Sequence, residues 1–73
     1  MKAYKNLSKQ SAVKAYQPYL DAIKIQFDDG TVYLFTHENS GEEIVSKMKA
    51  LASEGQGLGS YIRSIGTETA QKL

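Results

Sequence analysis

The chain has 73 residues, enough for one domain, and its nine Lys and Arg residues nearly balance eight Asp and Glu residues, for a net charge of +1. This balance gives no strong field for non-specific nucleic-acid binding, and no apolar run approaches the ~20 residues of a membrane span. Without cysteine there is no disulfide, no thiolate nucleophile and no zinc–thiolate site. We therefore expect a cytoplasmic domain with no signal peptide and no membrane partner.

Residues 1–10 are polar and carry three lysines, with Ala3, Tyr4 and Leu7 as their only internal apolar side chains. A flexible arm, a helical turn and an added edge strand are all compatible with this pattern, and the sequence leaves the three alternatives open. The basic bias is compatible with an anionic partner, although a solvated terminus is the more common explanation.

Residues 11–16 predict a first strand, because Val13 and Ala15 alternate with Lys14. Pro18 is expected to break this strand, since it lacks a backbone N–H and suits a turn or an edge position.

Residues 22–36 predict a β-hairpin. Apolar and polar residues alternate from Ile23 to Phe27, a β-branched and aromatic run follows from Val32, and Asp29-Gly30 lies between them as a turn signal. Three sequential strands with short connections form an antiparallel meander in the order 1-2-3.

The register of this hairpin has two alternatives. A two-residue turn places Ile25 opposite Leu34, and both Tyr33 and Phe35 then lie on the face away from the core. A three-residue loop with Gly30 as a left-handed bulge residue places Ile25 opposite Tyr33, which brings both aromatic side chains into the core.

The segment after the hairpin predicts a main helix that ends near Ser53. Ser40 and Glu43 match the capping box of a helix N-terminus, and Gly55 is a C-terminal cap signal. Apolar residues recur at i, i+4 and i+7 along one face: Ile44, Met48 and Leu51.

A short second helix is predicted by the same spacing in Leu58, Ile62 and Ile65, and Gly66 is expected to end it. Residues 67–73 are interpreted as a helical extension or a loose tail. The predicted fold is therefore α+β: a three-stranded antiparallel β-meander followed by one main helix and a short second helix, both packed on one sheet face. A single domain of residues 11–66 is flanked by an N-terminal arm, 1–10, and a C-terminal tail, 67–73.

Short motifs spread over residues 11–65 add a family resemblance. They are Val13-Lys14-Ala15-Tyr16, the hairpin with its Tyr33-Leu34-Phe35 run, Ser53-Glu54-Gly55 and Ile62-Arg63. As a set they resemble the KTSC domain, which occurs at the C-terminus of some lysyl-tRNA synthetases and as small free-standing bacterial proteins. Phe35 stands in place of the second Tyr of the family's central Tyr-x-Tyr motif, Gly59 in place of a usual Asn, and Gln17 in place of a common Asp.

The resemblance has two implications. The family's motif aromatics alternate in phase with the preceding strand, so we favour the bulged hairpin register. Its synthetase companion implies weak accessory binding of RNA or tRNA.

Candidate binding residues follow from the residue types that contact RNA. Tyr33 and Phe35 could form a stacking platform for bases, and Lys24 and Arg63 could contact phosphates. The simpler explanations are that the aromatics belong to the core and that the cations are scattered surface charges. The alternative function is protein–protein interaction or self-association, as a homodimer, through an open sheet face or an edge strand.

Catalytic and metal-binding chemistry is not indicated. His37 is the single histidine and lacks partners at a metal-ligand or nucleophile spacing, and Asp28 and Asp29 are adjacent in a turn. The glycines of residues 55–59 follow a GxGxG spacing with no Lys-Ser/Thr pair after it, which differs from a phosphate loop. We expect a protein that is not an enzyme, with no cofactor, no metal and no small-molecule substrate.

Overall fold

A computed structural model of the chain describes residues 1–9 and 11–73. An antiparallel five-stranded sheet in the order β1-β2-β3-β4-β5 is combined with helices, which confirms the α+β class. The strands are β1 (Lys2–Ala3), β2 (Val13–Tyr19), β3 (Ala22–Phe27), β4 (Val32–Thr36) and β5 (Gln71–Lys72). The helices are α1 (His37–Ser40), α2 (Glu42–Glu54) and α3 (Leu58–Ile65). The predicted meander forms the centre of this sheet, to which β1 and β5 are added as edges, and α1 is a further short helix.

The hairpin between β3 and β4 adopts the bulged register. Ile25 is paired with Tyr33, and the loop closes through the Gly30 N–H, which donates to the Phe27 carbonyl at 2.9 Å. Gly30 has φ of 90°, a conformation that side chains with a Cβ rarely adopt. Asp29 Oδ1 accepts the Thr31 N–H at 2.9 Å and fixes the turn. The favoured alternative of the sequence analysis is therefore confirmed.

The strand β2 continues past the predicted break and includes Pro18. The predicted strand break at Pro18 is wrong. Because β1 pairs only with Ala15 and Tyr16, the β2 edge at Pro18 has no neighbouring strand, and no inter-strand hydrogen bond there requires a backbone N–H. Pro18 is paired on its other side with Ile23 of β3.

Both chain ends form edge strands. Of the three alternatives for the N-terminus, the structure shows an edge strand at Lys2–Ala3, while Gln10 lies outside the described residues. The prediction of a helical extension or loose tail at the C-terminus is wrong at Gln71–Lys72, where β5 pairs with β4. The Leu73 N–H also donates to the Val32 carbonyl at 2.9 Å, so the tail satisfies backbone groups that the edge of β4 would expose to water.

The predicted capping box does not form. Thr36 caps α1 by accepting a backbone N–H in its first turn, so Ser40 falls inside that helix rather than before the next one. Gly41 is the N-cap of α2 and provides no side-chain hydrogen bond, while Ser40 Oγ lies 2.9 Å from Thr69 Oγ1. The predicted C-terminal cap of α2 is confirmed, because Gly55 adopts the left-handed conformation and its N–H donates a hydrogen bond to the Leu51 carbonyl.

One apolar core lies between the sheet and the helices. Its buried members on the helices are Val45, Met48, Ala52, Leu58 and Ile62, and those on the strands include Val13, Ile23, Ile25 and Phe35. The buried face of α2 is therefore centred on Val45, Met48 and Ala52, slightly rotated about the helix axis from the predicted face. Ile44 and Leu51 lie half-buried at its margins. We call the side of the sheet that carries Ile23, Ile25 and Phe35 the core face.

The N-terminal segment is built into this core. Tyr4 is 6% exposed, and its hydroxyl accepts the Leu58 N–H at 3.2 Å, at the start of α3. The Leu7 N–H donates to the Gly55 carbonyl at 2.7 Å, which ties the segment to the corner between α2 and α3. A side chain on Gly59 would place its Cβ 2.4 Å from Ser11 Oγ, so the close approach of this segment requires glycine there.

Candidate nucleic-acid interface

The two aromatic residues predicted to stack bases lie on the core face. Phe35 is 0% exposed, and its ring has no free surface for a ligand. Tyr33 is half-buried and packs edge-to-face on Phe27, with ring centroids 5.9 Å apart. The predicted platform is absent because the bulged register turns both rings towards the helices, so Phe35 drops out of the candidate surface.

The two predicted cations lie on different surfaces. Lys24 is on β3, next in sequence to core residues Ile23 and Ile25, and it therefore points to the opposite side of the sheet. Arg63 is exposed on α3 and lines a groove of about 260 Å³ together with Phe27. Phe27 contacts Tyr33 and lines the same groove as Arg63, so Arg63 and Tyr33 lie on the same side of the molecule. Lys24 lies on the opposite side of the sheet from both.

The side of the sheet that carries Lys24 is the outer face. The helices of the described chain bury their apolar residues in the core cluster on the other side, so none of them covers the outer face. By strand register, its residues are Ala3, Ala15, Gln17, Tyr19, Ala22, Lys24, Gln26, Val32, Leu34, Thr36, Gln71 and Leu73.

A shallow groove of about 410 Å³ lies on this outer face. The residues that line it are Tyr19, Asp21, Ala22, Lys24, Leu34, Thr36 and Leu73. Lys24 Nζ lies 5.6 Å from the centroid of the Tyr19 ring, within the range of a cation–π contact. The groove therefore combines an aromatic ring, a cation, a carboxylate and aliphatic side chains.

Glutamine side chains extend this surface. Gln17, Lys24, Leu34 and Gln71 form one row across four strands, because each is paired with the next in the register. A glutamine amide offers both hydrogen-bond donors and an acceptor, which suits the polar edges of nucleotide bases.

The hairpin tip between β2 and β3 is held in place from the helical side. Lys49 Nζ, on α2, donates to the Tyr19 carbonyl at 2.5 Å and to the Leu20 carbonyl at 3.3 Å. These bonds position Tyr19 at the end of the outer face, with its side chain 43% exposed. The neighbouring Leu20 is 96% exposed at the tip.

The strands and the helices differ in the charged residues that they contain. Among the described residues, the strands contain four lysines, Lys2, Lys14, Lys24 and Lys72, and no Asp or Glu. The helices contain four carboxylates, Glu38, Glu42, Glu43 and Glu54, against three cations, Lys47, Lys49 and Arg63. The turns that join these strands carry Asp21, Asp28 and Asp29. Lys2 and Lys72 are paired with Tyr16 and Tyr33 of the core face, so the strand lysines are not gathered on the outer face.

The other side chains that could take part in catalysis or metal binding are dispersed over the molecule. His37 Nε2 is buried without a hydrogen-bond partner, and within residues 1–9 and 11–73 no group of three His, Cys, Asp or Glu side chains could hold a metal ion. A groove of about 480 Å³ between α3 and the N-terminal segment carries Glu54 and Arg63 on its walls. None of the helices that the structure describes has the length and apolar character needed to cross a bilayer.

Sequence reasoning missed Tyr19 as a surface aromatic. Reading Pro18 as a strand break removed Tyr19 from the strand, although Gln17 and Tyr19 already alternate with Pro18 in the pattern of one sheet face. Allowing proline on an edge strand would have found this residue.

Comparisons with protein-family models, with curated proteins and with solved structures found no match to this chain.

Proposed function

We propose that this protein is a small, non-catalytic module that binds RNA or tRNA weakly, as an accessory interface, through the outer face of its sheet. The observation that carries the proposal is the outer face itself, where Lys24, the partly exposed ring of Tyr19 and the Gln17 amide lie together and no described helix covers them. A phosphate group is attracted to the ammonium of Lys24, because neutralising the phosphate releases bound counterions.

The roles of the outer-face residues follow from their chemistry. Lys24 contacts a phosphate, Tyr19 stacks with a base, and Gln17 offers its amide to a base edge. With few cations in reach of one ligand, the affinity is weak and falls as salt rises. The resemblance of residues 11–65 to the KTSC domain motivates the same function, because that domain accompanies some lysyl-tRNA synthetases.

Charge reversal on the two sides of the molecule tests this proposal. Lys24→Glu places a negative charge on the outer face, and we expect about a three- to tenfold loss of affinity for a tRNA pool at low salt. Lys47→Glu makes the same charge change on an exposed position of α2 and is the matched control. Fluorescence anisotropy measures both, and equal losses in the two variants would reject the outer face as the interface.

A second candidate function is protein–protein interaction or self-association through the same face. In the observed register Val32 and Leu34 lie half-exposed on the outer face, and Leu73 is 58% exposed beside them. Leu34→Asp should then abolish self-association that light scattering detects at millimolar concentration. A wild-type chain that stays monomeric at that concentration argues against self-association.

A further inference from the structure

We infer that the outer face accepts unpaired nucleotides rather than an RNA duplex. This inference rests on the proposed RNA-binding function and specifies the class of RNA that the surface recognises.

The composition of the outer face favours bases over phosphates. The groove on this face is lined by aromatic and aliphatic surface of Tyr19, Ala22, Leu34 and Leu73, and by the polar side chains of Asp21, Lys24 and Thr36. The carboxylate of Asp21 opposes a dense array of phosphates. A duplex hides its base faces within the stack and presents phosphates and 2′-hydroxyls to a protein. An unpaired nucleotide instead exposes a base face, which can cover such apolar surface.

Cations are too sparse on this face for duplex recognition. Lys24 is the one cation among the outer-face residues whose side the strand pairing fixes, and Lys14 lies at the irregularity of β2, where the pairing is interrupted. Duplex-binding domains depend on several phosphate contacts across successive grooves. A single central lysine can position the backbone of one short unpaired segment.

The size of the surface matches a short segment. The row from Gln17 to Gln71 crosses four strands, and neighbouring strands lie about 4.8 Å apart, so the row is about 14 Å wide. Sheets that bind single-stranded RNA stack about two or three bases on a surface of this kind.

Tyr19 provides the stacking position at one end of the row. Its ring is partly exposed, and its backbone carbonyl is fixed by Lys49. Lys24 Nζ lies over one face of this ring, so a stacked base takes the other face or displaces the ammonium towards its own phosphate.

The test compares one labelled RNA oligonucleotide of about ten nucleotides in single-stranded form and annealed to its complement, at low salt. Fluorescence anisotropy should show at least about tenfold tighter binding of the single strand, with a salt slope near −0.7 for one phosphate contact. If the duplex binds as tightly or more tightly, the inference is wrong and the RNA-binding function stands. If neither form binds, the proposed function itself is wrong.

Variants of Tyr19 separate stacking from folding. Tyr19→Ala should weaken single-strand binding about fivefold or more, whereas Tyr19→Phe keeps the ring and should retain binding. Leu20→Ala removes the exposed neighbour at the same hairpin tip and is the control. Circular dichroism verifies folding of each variant, and a folded Tyr19→Ala protein with unchanged affinity would overturn the stacking role.

Discussion

At the scale of single residues, Tyr4 shows how the N-terminal segment becomes part of the domain. Its ring fills the core, and its hydroxyl accepts the N–H of Leu58, one of the backbone donors that a helix start leaves without a partner. The N-cap of α3, Gly57, has no side chain that could do this. Tyr4 therefore replaces a local cap with a partner that is 54 residues away in the sequence.

Removing only the Tyr4 hydroxyl tests this role. Tyr4→Phe leaves a buried N–H unsatisfied, and we expect a loss of about 1–3 kcal/mol in the free energy of unfolding, measured by urea denaturation. Tyr61→Phe removes a hydroxyl from a half-buried tyrosine on α3 itself and should change the stability by less than about 0.5 kcal/mol. Equal effects of the two substitutions would contradict the capping role of Tyr4.

The carboxylate of Asp29 makes the stability of the hairpin turn depend on pH. Its carboxylate accepts the Thr31 N–H, and this hydrogen bond lowers the pKa of Asp29 below its ordinary value of 3.8. The folded pKa is depressed, so the stabilisation is complete above the unfolded pKa and is lost as the pH falls through the folded pKa.

A pH series of thermal unfolding checks the contribution of Asp29. Wild type should be more stable than Asp29→Asn at neutral pH, and the difference should shrink below about pH 3.8 as the carboxylate is protonated. A difference that is constant from pH 7 to pH 2 would show that the charge of Asp29 has no part in the turn.

At the scale of elements, the sequence was most informative where the signal is local. The hairpin at Gly30, the end of α2 at Gly55 and the helix that begins at Leu58 all depend on neighbouring residues, and all were predicted. The edge strand β5 could not be predicted, because Gln71 gains its partner Leu34 only when the meander already exists. Thr36 and Ser40 are both suitable helix caps, and the choice between them depends on where β4 ends.

The approach of the N-terminal segment to α3 can be tested at Gly59. Alanine is favoured over glycine in a helix by about 1 kcal/mol, but a Cβ here would lie 2.4 Å from Ser11 Oγ. Ser11 Oγ is also held by the Val13 N–H at 3.1 Å, so it cannot move away freely. We expect Gly59→Ala to destabilise the protein by about 1–3 kcal/mol in denaturant unfolding.

A double-mutant cycle distinguishes this steric conflict from other effects of Gly59→Ala. In a Ser11→Gly background the obstructing hydroxyl is absent, so Gly59→Ala should become neutral or stabilising. The same destabilisation in both backgrounds would mean that Ser11 is not the cause.

At the scale of the whole molecule, the apolar core and the proposed binding surface lie on opposite sides of the sheet. The helices and the core face supply the buried apolar side chains, and the outer face is left to carry lysine, glutamine and an exposed tyrosine. The candidate site could be predicted from sequence only in part. Lys24 remains on the proposed surface, whereas Phe35 is buried in the core. The burial of Phe35 could not be predicted from sequence, because both hairpin registers were open and tertiary packing decides between them.

A chemical-shift titration of isotope-labelled protein with single-stranded RNA at low salt shows residue by residue whether the outer face binds RNA. We expect shifts concentrated at the strand amides of Gln17, Tyr19, Lys24 and Leu34, with α2 and α3 nearly unchanged. Shifts concentrated on α2 or α3, or no shifts at any amide, would show that the outer face does not bind RNA.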